Sequence, residues 1–138
     1  IKPTLAEHLA PTMEEVARAW VRRSGIGGAT RVGAWWGRSL DSLRRGGERT
    51  SEEIDIVGLK GRRATVIGEV RWRSRPMSVE ILDELDRFKL PALEQAAVKV
   101  GYPEIVLVSR SGFSDGLRRA AEMEPRIHLM GPDDLALI

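Results

Sequence analysis

Asp55 and Glu69 are acidic residues in stretches that otherwise read as buried strand. The chain runs EEIDIVGLKG over 52–61 and RRATVIGEVRWR over 62–73, two runs in which apolar residues alternate. A side-chain period of two puts Glu53, Asp55 and Val57 on one face of the first strand. On the second, Thr65, Ile67, Glu69 and Arg71 share a face, and Val66, Gly68, Val70 and Trp72 take the other. A carboxylate and a guanidinium within an apolar strand cost on the order of several kcal/mol unless they are paired or bind metal. A turn at Lys60-Gly61 makes the two strands a hairpin and brings Asp55 and Glu69 side by side, with both carboxylates expected on one face and within reach of one ion. Two hard oxygen ligands on rigid strands, with other coordination positions left to water and phosphate, suit Mg²⁺ or Mn²⁺. Such an ion acidifies water and neutralises charge building on a phosphate. The same residues also fit a plainer arrangement, a Glu69–Arg71 or Asp55–Arg71 structural ion pair.

These strands need supports, and the flanking sequence supplies them. Thr12 with Glu15 forms a capping box, and Met13, Val16 and Trp20 recur at helical spacing, which predicts a helix over 12–23. Gly25 to Gly28 stop it, and a strand is expected over 29–38, followed by a loop over 44–51. Ser78 opens a second helix with Ile81, Leu82, Leu85 and Phe88 on its apolar face. Pro91 interrupts this helix, with a further turn or two expected through Gln95 to Val100. A buried strand over 104–110, a helix over 115–124 capped by Ser114, a strand over 126–130 and a terminal turn from Asp133 complete the chain. The expected fold is α/β, a mixed sheet flanked by helices in the order α-β-β-β-α-β-α-β.

Composition narrows the setting. A chain of 138 residues, 42% hydrophobic and 30% charged, fits one soluble globular domain. It has no apolar run of bilayer-spanning length and no signal-peptide pattern, so no membrane partner is expected and a cytoplasmic address is. The absence of cysteine excludes disulfides, thiolate zinc sites and cysteine nucleophiles. The net charge of +2 carries little information, but the cations are 18 arginines against 4 lysines. Arginine's planar fork suits phosphate, although pairs such as Arg44-Arg45 and Arg62-Arg63 are equally compatible with a solvated surface.

The segment IDIVGLKGRRATVIGEVRW resembles the active-site hairpin of the PD-(D/E)XK nuclease superfamily, in which an Asp, a second acid and a Lys lie on adjacent strands. MEEVARAW resembles that superfamily's first helix, with Glu14 as the matching acid. More narrowly, IKPTLAEHL, MEEVARAW, VGAWWGR, EIDIVG, GEVRW, SRSGFSDGLRRA and the final DDL resemble the nuclease-like domain C-terminal to archaeal-type P-loop ATPases. The resemblance implies a restriction-endonuclease-like fold in one domain over residues 1–138. It also implies Mg²⁺ or Mn²⁺ held by Glu14, Asp55 and Glu69, with Asp55, Glu69 and Arg71 catalytic. DNA would be contacted through Arg71, Arg73 and Lys89. An ATPase upstream in the same chain is implied too; these residues contain no P-loop, and the first residue is Ile1, so the domain is expected to be a piece of a longer, ATPase-containing protein. An oligomer is compatible with all of this. The sequence departs from the pattern at Arg71, where the resemblance expects lysine. An arginine stays charged and cannot relay a proton, which leaves Lys89 or Lys99, placed on the following helix, to supply an amine. The alternative is a nuclease-like module without turnover that binds nucleic acid or regulates its ATPase.

Other signals carry less. Gly112-Phe-Ser114-Asp-Gly116 matches a nucleophile elbow, but its partners His128 and Asp133 or Asp134 come in the wrong order, and Ser114 reads better as a helix cap. Trp35-Trp36 could stack on bases, yet packing is the expectation for both. His8 and His128 lack metal-ligand spacing. Glu80, Asp83, Glu84 and Asp86 read as the solvated face of the second helix.

Overall fold

A computed structural model describes residues 8–136; the part of the first resemblance motif that falls on residues 1–7 lies outside them. Five strands form one mixed sheet in sequential order: β1 (Arg31–Arg38), β2 (Ser51–Lys60), β3 (Arg63–Arg71), β4 (Lys99–Ser109) and β5 (Ile127–Met130). The first three are antiparallel neighbours, whereas β3–β4 and β4–β5 are parallel. Parallel neighbours need crossovers, and helices provide both. The first crossover comprises α2 (Glu80–Glu84), a π turn (Leu85–Lys89) and α3 (Leu90–Gln95); the second is α4 (Asp115–Met123). These pack on one face of the sheet through Ile81, Leu85, Leu93 and Leu117. The opposite face carries α1 (Ala10–Ser24) through Ala17 and Val21, and α5 (Pro132–Ala136) through Leu135. No helix among the described residues is long and apolar enough to cross a membrane.

The mixed α/β architecture and order agree with the sequence reading, and the differences have local causes. Helix α1 begins two residues early, with Leu9 at its N-cap and no side-chain cap bond, so Thr12 is not a cap. Pro11 in the first turn accounts for this, because its fixed φ and missing N–H are no handicap there. Glu15 serves Arg18 instead, accepting from its Nε at 2.9 Å. The hairpin turns at Gly61-Arg62 rather than Lys60-Gly61: Lys60 pairs with Arg63, and Gly61 takes a φ of 63° that glycine tolerates. Beyond Gln95 the helix does not run on to Val100. Strand β4 starts at Lys99, aligned with Arg63, so Lys99 is not on a helix. Pro91 does not end the second helix either. A proline ring would clash with the carbonyl four residues back, and the widened π turn directly before it lets the helix continue.

Ser114 is a cap, accepting a hydrogen bond from the Leu117 amide at 3.2 Å. His128 is engaged by Glu104 at 2.9 Å. Replacing Ser114 with Ala should cost about 1 kcal/mol, the usual effect of losing an N-cap. Chemical denaturation checks this, and a serine-directed fluorophosphonate should leave the residue unlabelled.

Candidate metal centre

The backbone ladder between β2 and β3 runs as far as Ile56 opposite Gly68. One step further Asp55 faces Glu69, and side chains take over from the ladder. The Asp55 amide donates to Glu69 Oε2 at 3.0 Å, and the Val70 amide donates to Asp55 Oδ2 at 2.9 Å. The other edge of β2 explains the change. Pairing with β1 shifts from Gly33↔Val57 to Trp35↔Ile54, so Asp55 and Ile56 together oppose Ala34. This is a β-bulge, the device that re-aims side chains beside many active sites. Its effect is visible in the cores: Ile54 packs in the layer under α2 and α3, and Ile56, two residues on, in the layer under α1. Val57 returns to the first layer. It therefore does not share a face with Asp55, which a strict period of two would require.

On the α1 side three carboxylates converge. One oxygen each of Glu14, Glu53 and Asp55 lies within 4.8 Å of the others. Glu14 reaches the group because Arg18, one turn further along α1, donates to the Asp55 carbonyl at 2.7 Å and pins the helix to the bulge. Burial, and next the nearby Asp55, raise the Glu14 carboxyl above its ordinary pKa, partly offset by Arg18. Three hard oxygen donors this close together suit Mg²⁺ or Mn²⁺ with water or phosphate completing the shell. Glu53, which the sequence placed on Asp55's face without assigning it a role, is the member of this trio that reading missed.

Glu69 is not a member of this trio. It is fully buried and its Oε1 is paired with Lys89 Nζ, which also donates to the Glu53 carbonyl at 2.5 Å. Lys89 comes from the π turn on the opposite face and is itself buried, so it is not a surface contact for nucleic acid. Arg71 spans the two sites, at 3.4 Å from Asp55 Oδ2 and 3.5 Å from Glu69 Oε1. Both structural ion pairs that the sequence allowed are thus formed. Glu84, assigned by the sequence to a solvated face, instead reaches Arg49 at 3.4 Å and Lys89 at 3.8 Å.

Beside Arg71 opens a polar cleft of about 310 Å³ lined by Arg71, Arg73, Ser78, Glu80 and Glu84. Arg73 Nε is buried with no hydrogen-bond partner among the described residues. Burial, and next the neighbouring Arg75 and Arg71, lower its pKa from the ordinary guanidinium value. At the other edge of the centre, Trp35 packs against the core whereas Trp36 is 73% exposed. Packing was expected for both.

Burial and the adjacent Asp55 push the Glu69 carboxyl up to about 7, against the pull of Lys89. A folded-state pKa above the unfolded value of 4.5 means that this contribution to stability is full below pH 4.5 and is lost as pH rises through about 7. In metal-free buffer, wild-type stability relative to Glu69→Gln should therefore fall between pH 5 and 8. Urea unfolding of both proteins across that range checks the sign.

One family model, described as archaeal and bacterial proteins of unknown function, matches residues 1–86. No curated protein and no solved structure matches the chain. The matched residues run from before α1 into the π turn and include Glu14, Glu53, Asp55, Glu69, Arg71 and Arg73, but not Lys89. With the match covering well over half of its 138 residues, the chain belongs to this family, DUF234.

Proposed function

We propose that this chain is a divalent-metal-dependent DNA phosphodiesterase domain of the PD-(D/E)XK kind, cytoplasmic and carried by a P-loop ATPase. The observation that carries the reading is the convergence of Glu14, Glu53 and Asp55 beside a polar cleft that Arg71 and Arg73 line. A bulged, splayed hairpin holding an acid pair, a helix delivering a further acid and a sheet order of β1-β2-β3-β4-β5 support it.

The three carboxylates would hold Mg²⁺ or Mn²⁺, which when bound supplies charge neutralisation at a phosphate and a more acidic water. Arg71 and Arg73 line the cleft where a phosphate would sit, and the unpartnered Nε of Arg73 offers it a donor. Lys89 provides the amine that Arg71 cannot, at Glu69 rather than on β3. A raised Glu69 carboxyl beside this amine gives the centre a group able to take or give a proton near neutral pH.

A second reading, a nuclease-like module without turnover, is favoured by one feature. Lys89 is 6% exposed and doubly engaged, by Glu69 and by the Glu53 carbonyl, which favours a structural role over a catalytic one.

Two measurements separate these readings. Saturating Mn²⁺ (about a hundredfold over its Kd) should stabilise the protein by about 2.7 kcal/mol, and Glu14→Gln or Asp55→Asn should remove most of that gain. Wild type should cleave linear or branched DNA only with Mg²⁺ or Mn²⁺, and Asp55→Asn should abolish cleavage. Metal binding without cleavage of any DNA would select the second reading, and no metal binding would end the first.

A further inference from the structure

Resting on the phosphodiesterase reading, we propose that Trp36 and Arg38 form a seat for an unpaired nucleotide, so that the strand presented to the carboxylates is single-stranded DNA. Trp36 lies on the edge strand β1, directly opposite Glu53 on β2. Directly opposed residues of an antiparallel pair project to the same face, with Cβ atoms roughly 4.5–5.5 Å apart. The indole therefore adjoins a member of the carboxylate trio. It is 73% exposed. Its neighbour Trp35 accounts for the orientation: Trp35 packs onto the core face, and a Cβ at Gly37 would come within 2.6 Å of its ring. Glycine at 37 gives Trp35 its space, and strand alternation then sends Trp36 outward.

Arg38 follows on the same face of β1, exposed, with its Nε donating to Ser42 Oγ at 3.1 Å. Arg44 and Arg45 are exposed on the loop beyond. An aromatic face followed by guanidinium groups is the pairing that single-stranded nucleic acid uses, the base on the ring and the phosphate on the cation. Within a duplex both faces of a base are already stacked, so only an unpaired base can lie flat on the indole. Placing that base at Trp36 brings its adjoining phosphate toward Glu53, where an ion could reach it. An acidic peptide would answer Arg38 but not the flat ring beside three carboxylates, and the charge pattern favours a strand whose phosphates bridge cation and ion.

The test measures binding of a labelled short oligodeoxythymidylate and of a blunt duplex of equal length, by anisotropy in Ca²⁺ buffer. Wild type should prefer the single strand. Trp36→Ala should weaken single-strand binding by about 5- to 100-fold, Trp36→Phe should keep most of it, and melting temperature and Mn²⁺ stabilisation should stay at wild-type values in both variants. Equal binding of single strand and duplex by wild type overturns the proposal, as does an affinity that Trp36→Ala leaves unchanged. A dimer that Trp36→Ala dissociates, without oligonucleotide binding, assigns the face to a second copy and overturns it too. Trp36-dependent binding in a protein that takes up no Mn²⁺ leaves the nucleotide seat standing and removes only the metal reading.

Discussion

A carboxylate buried in the central strand of a sheet has to be given hydrogen-bond donors, and much of what surrounds Glu69 follows from that requirement. One donor is the amide of Asp55 and another the ammonium of Lys89. An amide that serves a side chain cannot serve the ladder, so β2 and β3 part at this point and Asp55 is freed from regular pairing. Bringing a lysine inward over the sheet requires a helix close to β2 and β3, and the π turn before Pro91 delivers it. The bulge opposite Ala34 then turns the freed Asp55 toward α1. Three local irregularities, a splayed hairpin, a bulge and a π turn, thus serve one buried charge.

The result is a division of charge between the two faces. Under α2 and the π turn, Glu69 is answered by Lys89 and Arg71. Toward α1, Glu14, Glu53 and Asp55 have Arg18, which is 3.9 Å from Glu14 and spends its shorter bonds on Glu15 and the Asp55 carbonyl. Arg71 reaches Asp55 only at 3.4 Å. Burial, and next the neighbouring Asp55, raise the Glu14 pKa, and the acidic side is short of positive charge that a divalent cation would supply. The guanidinium groups of Arg71 and Arg73 lie to one side of this centre, and an exposed indole to the other at Trp36. A strand crossing the centre would meet all three.

The regular parts of this arrangement were legible in the sequence. Alternation gave the faces of β3 correctly from Val66 onward, since Val66, Val70 and Trp72 pack toward α1 and Ile67 toward α2, but not across the irregularity between Ala64 and Val66. Asp55 was found from the hairpin's acids, and Glu14 from the resemblance of MEEVARAW to a known first helix. What alternation could not reveal was the bulge, because one extra residue leaves no mark where apolar residues lie on both faces, as at Ile54, Ile56 and Val57. That extra residue moves Val57 away from Asp55's face. It also accompanies the turning of Asp55 toward Glu14 and Glu53. The partner of Glu69 was equally hidden, since Lys89 is 20 residues away and reaches it only through the crossover. Trp36 was misjudged for a simpler reason: of two adjacent strand tryptophans one must face outward, and nothing in the sequence said whether a helix would cover it.

Diffraction from crystals grown with Mn²⁺, read at the manganese absorption edge, tests the centre most directly. The account predicts one anomalous peak ligated by Glu14, Glu53 and Asp55, with Glu69 still paired to Lys89. An ion held by Asp55 and Glu69 with Glu14 and Glu53 turned away, or no ion at saturating Mn²⁺, would contradict it.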